Sequence, residues 1–260
     1  MKRLLLLLAI LLVQLTTAQE YFGTKKVYCP LANESDIALF NAGLDGLKHP
    51  KKYEASLKNY LKIIESQPNA CDAYFMVGYF YKLKNQQDLA LRYFTNADSL
   101  AQNKSIEFKQ YVACGYFASN KIALAKTKFQ EIITYFPESP EGYLGLASTE
   151  LDAPVKGLQD LAIAFEKYAT IKQKIPDEAY LTKAILLTLN DQSKESMAFF
   201  DQAETTLKQD ERFWIYSSLS WLEVGKMYHD KELKKEAKKR FDKIKYKNNI
   251  PAGLREKYVF

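Results

Sequence analysis

The chain repeats itself at intervals of roughly 34 residues, and a period of that length leaves few folds open. The clearest copy spans residues 71–104. Tyr74, Val77, Gly78 and Tyr81 recur at i, i+3, i+4 and i+7, the spacing of one helix face. Asn85, Gln86, Gln87 and Asp88 then interrupt the pattern with turn-favouring polar groups. Ala90, Phe94 and Ala97 follow as a second apolar stripe. The spacing predicts a helical hairpin, which cannot bury both apolar faces alone and gains stability by stacking on copies of itself.

Such copies are present. Ala113, Tyr116, Ala125, Phe129, Ile132 and Pro137 repeat the pattern after one inserted residue. The next copy opens with Tyr143, Leu146 and Ala147 and closes with Ala164, Tyr168, Ile171 and Pro176, with about five extra residues between its helices around Asp152, Ala153 and Pro154. A fifth reads Tyr180, Ala184, Leu187, Ser196, Phe200 and Ala203, its frame slipping by two. A sixth reads Trp214, Ser218, Trp221, Ala237, Phe241 and Ile244, with about seven extra residues between helices. Upstream, Ser56, Tyr60, Ile63 and Pro68 mark a second helix, and residues 37–47 a degenerate first one. Pro68, Pro137 and Pro176 stand where second helices are expected to stop, because proline cannot extend the hydrogen-bond ladder.

This succession resembles the tetratricopeptide repeat, whose signature places in the clearest copy are held by Tyr74, Val77, Gly78, Tyr81, Ala90, Phe94 and Ala97. The resemblance implies an all-α, right-handed α-solenoid of about six hairpins over residues 37–250, with units near 37–70, 71–104, 106–139, 140–176, 177–210 and 211–250. Residues 19–36 are left as an N-terminal cap or tether and 251–260 as a tail. Gly78 and Ala90 are expected where helices cross closely, with Tyr74, Tyr81 and Phe94 filling gaps between neighbouring hairpins.

The N-terminus has a different character. Met1, Lys2 and Arg3 form a basic start, residues 4–13 are unbrokenly apolar, and Thr16, Thr17 and Ala18 are small. That layout predicts a secretory signal peptide over residues 1–18, cleaved after Ala18. The run falls short of the about 20 residues that span a bilayer. The first cysteine is Cys29, so no lipid attachment at the cleavage point is expected. A repeat stack behind a signal peptide resembles bacterial envelope proteins, placing the chain in the periplasm or outside the cell. In that setting the sequons at Asn33 and Asn103 are chance.

Charge and composition narrow the function. Removing Lys2 and Arg3 lowers the net charge from +6 to +4. Residues 231–247 hold nine basic and three acidic groups, so the excess sits in the last hairpin. There, Lys235, Lys238 and Lys239 are candidates for contact with an anionic surface, or else form a solvated outer face. Nucleic acid is not an expected partner for an exported chain. Two histidines and three cysteines offer no metal-binding spacing, and no nucleophile elbow, phosphate loop or zinc-protease motif occurs. The expectation is a non-catalytic protein without cofactor or metal. Cys29 and Cys71 could pair and pin the N-terminal segment to the stack, or all three cysteines could be buried thiols.

In such stacks the first helix of each hairpin lines the concave face. The stripes there are Asn41, Asp45 and Lys48; Asp72, Phe75, Tyr79 and Lys82; Glu107, Gln110, Cys114 and Phe117; Glu141, Leu144, Ser148 and Leu151. Candidate partner-binding residues are Asn41, Phe75, Tyr79, Lys82, Gln110, Phe117 and Leu144, with Phe75, Tyr79 and Phe117 as aromatic anchors for a peptide or partner helix. Alternatively the N-terminal segment, or closure of the superhelix, covers them. The continuation through Leu181, Ile185, Thr188, Ile215, Leu219 and Leu222 is too apolar to face water, so it packs internally or meets a partner. Two functions follow: an exported adaptor that binds a protein segment on its concave face, or a subunit of an envelope assembly joined through that apolar stripe. Neither requires a membrane span, and both permit peripheral contact with the envelope.

Overall fold

A computed structural model describes residues 27–47 and 49–260, apart from the side chains of residues 203–206. The expected signal peptide, its cleavage point after Ala18, and Lys48 lie outside the described residues, as does the side chain of Ala203. Among the described residues the regular structure is entirely helical. Two compact units are present, one ending at Pro137 and one running from Glu138 to Phe260. No described helix is long and apolar enough to cross a membrane.

The first unit holds three hairpins: α1 (Glu34–Gly46) with α2 (Tyr53–Ser66), α3 (Cys71–Leu83) with α4 (Gln87–Ala101), and α5 (Ile106–Ala118) with α6 (Ile122–Tyr135). The second holds three more: α7 (Pro140–Thr149) with α8 (Pro154–Thr170), α9 (Asp177–Leu189) with α10 (Ser193–Leu207), and α11 (Glu211–Met227) with α12 (Lys231–Asp242). A short α13 (Ala252–Arg255) follows.

Four of the six hairpins turn by one chemistry. Asn85, Asn120, Asp191 and His229 each adopt a left-handed backbone, with φ of 60°, 58°, 57° and 53°. The next residue then donates its N–H back to the first helix: Gln86 to Tyr81 at 2.8 Å, Lys121 to Tyr116 at 2.9 Å, Gln192 to Leu187 at 2.8 Å, and Asp230 to Gly225 at 2.9 Å. This pairing satisfies helix-end carbonyls and reverses the chain. Asparagine and aspartate accept the left-handed region more readily than other side chains, which explains the polar interruptions in the sequence. Ser105 and Asp210 cap the starts of α5 and α11 by accepting from the N–H of Phe108 and Arg212.

Two expectations need correction. The ring contacts of Tyr74 and Tyr81 are with Tyr93 of their own α4, at 6.1 Å and 5.4 Å between centroids, and both tyrosines are half-buried. Phe94 does bridge, packing 4.8 Å from Tyr111 of α5. Pro176 does not end a second helix: α8 closes at Thr170 with left-handed Lys172, and Pro176 precedes α9. The extra residues of the sixth copy are not in its loop, because α11 is lengthened to 17 residues as Trp221, Leu222 and Val224 continue its buried face. In the fourth copy the first helix shrinks to 10 residues and the second grows to 17.

Gly78 sits where α3 meets α4. A β-carbon there would lie 2.7 Å from the Phe94 ring and 3.1 Å from the Ala90 carbonyl oxygen. Gly78→Ala is expected to destabilise the first unit by about 1–2 kcal/mol, since overpacking outweighs the gain in helix propensity. Gly253 in α13 has nothing within 4 Å of the equivalent position. Gly253→Ala should therefore leave the thermal midpoint unchanged or slightly raised, and a calorimetric comparison of the two variants checks both.

The apolar stripe of the second unit is internal. Leu181, Ile185, Ile215, Leu219 and Leu222 belong to one buried core with Phe200, Phe213, Ile250 and Leu254. Thr188 is buried beside them and is hydrogen-bonded to Ser220 at 2.7 Å. The tail closes over α11: Asn249 donates to Glu211 at 2.6 Å, Tyr258 donates to the Ile215 carbonyl, and Lys226 donates to the Lys257 carbonyl at 3.1 Å. An obligate interface built from Ile215, Leu219 and Leu222 is thereby overturned, because these side chains already spend their apolar area inside the unit.

Candidate partner-binding face

The first helices α3 and α5 place their stripe residues side by side in the first unit. The chain's own segment 27–32 lies against the N-terminal part of this stripe. Asp72 is central: its carboxylate accepts the N–H of Tyr28 at 3.0 Å and that of Cys29 at 2.7 Å. Two consecutive backbone donors on one ionised acceptor form charge-assisted bonds, roughly twice as strong as neutral ones. Tyr28 lays its ring edge-on against Phe108 at 5.2 Å and donates its hydroxyl to Glu107 at 2.5 Å. Burial, together with the Glu107 carboxylate, pushes the Tyr28 hydroxyl well above the ordinary phenol range.

A disulfide fixes this arrangement. Cys29 is bonded to Cys71 with the Cα atoms 5.6 Å apart, one residue before Asp72. Ala32 then donates its N–H to the Gln67 side chain at 2.8 Å. Of the two readings left open for the cysteines, the pinned segment is the one found; Cys114 is half-buried and outside the disulfide. Residues 27–32 pack on the stripe as a cap, and Asn33 serves as the N-cap of α1.

The expected anchors separate into two groups. Phe75 is fully buried, its ring stacked on Phe108 at 4.6 Å and edge-on to Tyr111 at 4.9 Å. It is a core residue, because Phe94 of α4 and Phe108 and Tyr111 of α5 surround its ring. Gln110 is likewise buried, and Leu144 is buried within the second unit's core beside Leu161 and Tyr168. These three cannot act as surface contacts. Asn41 is exposed on α1.

Tyr79, Lys82 and Phe117 remain half-buried, one turn or more beyond the cap. The Tyr79 ring lies 6.3 Å from Tyr111, and the Lys82 ammonium sits 4.5 Å above the Tyr111 ring. Burial depresses Lys82 to a pKa of about 8, while Cys114 acts in the opposite direction. The Tyr111 hydroxyl is buried without a hydrogen-bond partner among the described residues. Tyr111 was missed in the sequence because it adjoins the stripe by one position and carries no pattern of its own.

Lys235, Lys238 and Lys239 are exposed on α12, in the second unit. Each has an acidic neighbour one turn away: Glu232 at 3.6 Å, Asp242 at 2.7 Å and Glu236 at 3.4 Å respectively. The structure brings Tyr79 and Lys82 together through Tyr111.

No family model and no curated protein matches the chain. Solved structures do match it. A tetratricopeptide repeat protein from Parabacteroides merdae is 16% identical, covering 82% of this chain and 79% of its own, with a TM-score of 0.61. PilF of Pseudomonas aeruginosa is 15% identical over 82% of this chain and 92% of its own, with a TM-score of 0.60. PilW, a type IV pilus biogenesis factor, is 15% identical over 81% of this chain and 94% of its own, with a TM-score of 0.58. At these identities the likeness is one of fold: the chain has an all-α helical-repeat fold of the tetratricopeptide type.

Proposed function

We propose that this tetratricopeptide-type chain is a non-catalytic adaptor, exported to the bacterial periplasm, that holds a segment of a partner protein along α3 and α5. The observation that carries the reading is the cap itself. Residues 27–32 occupy part of the stripe as a bound peptide would, with backbone N–H groups on Asp72 and an aromatic side chain on Phe108. Further along the same two helices Tyr79, Lys82 and Phe117 are half-buried aromatic and cationic groups, with Tyr79 and Lys82 both set against Tyr111. A surface formed by rigid helices costs little ordering on binding. Export is supported by the apolar run 4–13 and by a disulfide, which persists in oxidising compartments.

Site-specific photocross-linking in the native cell tests the reading. A cross-linker at Phe117 or Tyr79 is expected to capture a defined partner segment. One at Leu124, which is exposed on α6, is expected not to capture it. Equal capture at all three positions, or none at Phe117 and Tyr79, removes this face from consideration. Export is tested by the mass of the protein recovered from the periplasm, expected to begin at Gln19.

Lys82 gives the face a pH dependence. Its charge is present below about pH 8 and lost above it. A bound segment that places a carboxylate beside Lys82 should weaken as pH rises through that value. In Lys82→Met the binding should be weaker and flat with pH, which a fluorescence titration of the captured segment would show.

A further inference from the structure

The second unit carries a surface that the adaptor reading leaves unused. At its end Phe241, Tyr258 and Phe260 form an aromatic cluster, with Phe241 4.9 Å from Tyr258 and 5.0 Å from Phe260. Lys238 places its ammonium 5.3 Å from the Phe260 ring, and Lys247 places its own 4.7 Å from Phe241. Phe260 is nonetheless 47% exposed and its neighbour Val259 67% exposed. Apolar side chains at the tip, ringed by ammonium groups, are thus presented together to solvent.

Charge on this surface is not balanced locally. Residues 231–247 carry nine basic and three acidic groups. The three acids pair within α12 with Lys235, Lys238, Lys239 and Arg240. Lys247 has no carboxylate within ion-pair distance among the described residues, nor does Lys245. A solvated end of a repeat stack needs polarity, but it gains nothing from exposed Val259 and Phe260.

We propose that this end of the second unit docks on an anionic phospholipid surface. The lysines meet phosphate headgroups, and Val259 and Phe260 enter the boundary between headgroups and acyl chains. Charge complementarity selects an anionic partner. The exposed apolar pair selects a bilayer over an acidic protein or glycan, since a soluble polyanion would engage the lysines and leave Val259 and Phe260 in water. Docking of this kind is independent of the α3 and α5 face and would hold the adaptor at the membrane.

The test is co-sedimentation of the full chain with vesicles of phosphatidylcholine, alone or mixed with phosphatidylglycerol. Binding is expected only to the anionic vesicles and should fall with added salt. Each lysine near such a surface contributes roughly fivefold, so Lys238→Glu with Lys247→Glu should weaken partitioning by about 25-fold or more. Val259→Ser with Phe260→Ser should weaken it by roughly tenfold, as expected for loss of buried apolar area, while leaving heparin binding unchanged. All four positions are peripheral, and circular dichroism melts confirm that the variants fold. Absence of binding to anionic vesicles overturns the proposal. So does binding that ignores Val259→Ser with Phe260→Ser, because the partner is then an acidic macromolecule.

Discussion

Breaking the Cys29–Cys71 disulfide is expected to destabilise the first unit by about 4 kcal/mol. The bond closes a loop across a sequence separation of 42 that includes all of α1 and α2. Chain-entropy reasoning gives that magnitude for a loop of this size, since the cross-link removes conformations from the unfolded chain. The native side also loses, because Asp72 is buried and depends on the N–H groups of Tyr28 and Cys29. Cys29→Ser with Cys71→Ser should therefore lower the midpoint of urea unfolding, and a dithiol reductant should do the same to the native chain. Hydrogen exchange at the amides of Tyr28 and Cys29 should accelerate before global unfolding, because these bonds are held only by the cap. An unchanged midpoint would mean that the cap contributes nothing to the fold. The two tryptophans, Trp214 and Trp221, lie in the second unit, so tyrosine dichroism is the signal to follow for the first.

Removing Arg212 should have a comparable effect in the second unit, by a different route. Its guanidinium is largely buried, donating to Glu178 at 2.9 Å and to both oxygens of Asp210 at 3.1 Å and 3.0 Å. Burial raises the Glu178 carboxyl above its ordinary range, and the Arg212 charge opposes that rise. Arg212→Met leaves two buried carboxylates without a cation, a loss of about 3–5 kcal/mol at neutral pH. The sign of the pH dependence follows from Glu178. A carboxyl raised in the folded state favours folding when protonated, so its stabilising contribution is lost as pH rises through the folded value. The deficit of Arg212→Met should accordingly shrink on acidification. Adding Glu178→Gln should recover part of it at neutral pH, as read from chemical denaturation at two pH values. A variant as stable as the parent would show that the ion cluster is neutral to folding.

Much of the architecture was legible from residue spacing. The recurrence of Tyr74, Val77, Gly78, Ala90, Phe94 and Ala97 in later copies predicted paired helices, and paired helices are present in each copy. Local physics underlies this success: helical periodicity and turn chemistry act within a few residues, as at Asn85 and Asn120. The candidate face was legible only in part. Stripe position named Phe75, Tyr79 and Phe117 alike, yet Phe75 is core while the other two stay half-buried. The difference lies in packing between helices, since Phe94, Phe108 and Tyr111 surround the Phe75 ring, a set of neighbours that stripe position alone does not reveal. Leu144 and the Ile215, Leu219 and Leu222 stripe went inside for a related reason, since neighbouring hairpins and the returning tail fill that space.

By itself, then, the sequence determined the paired helices and most of the places where they turn, because these follow from contacts between residues close in the chain, while the end of α8 and the extra turn of α11 did not show in the spacing. Tertiary structure alone decided which side chains of the first helices remain available. The partners that cover them, Cys29 on Cys71, Tyr28 on Glu107 and Tyr258 on Ile215, are separated by 42, 79 and 43 positions. A period of roughly 34 residues describes what stacks on what, but it carries no information about segments outside the repeat.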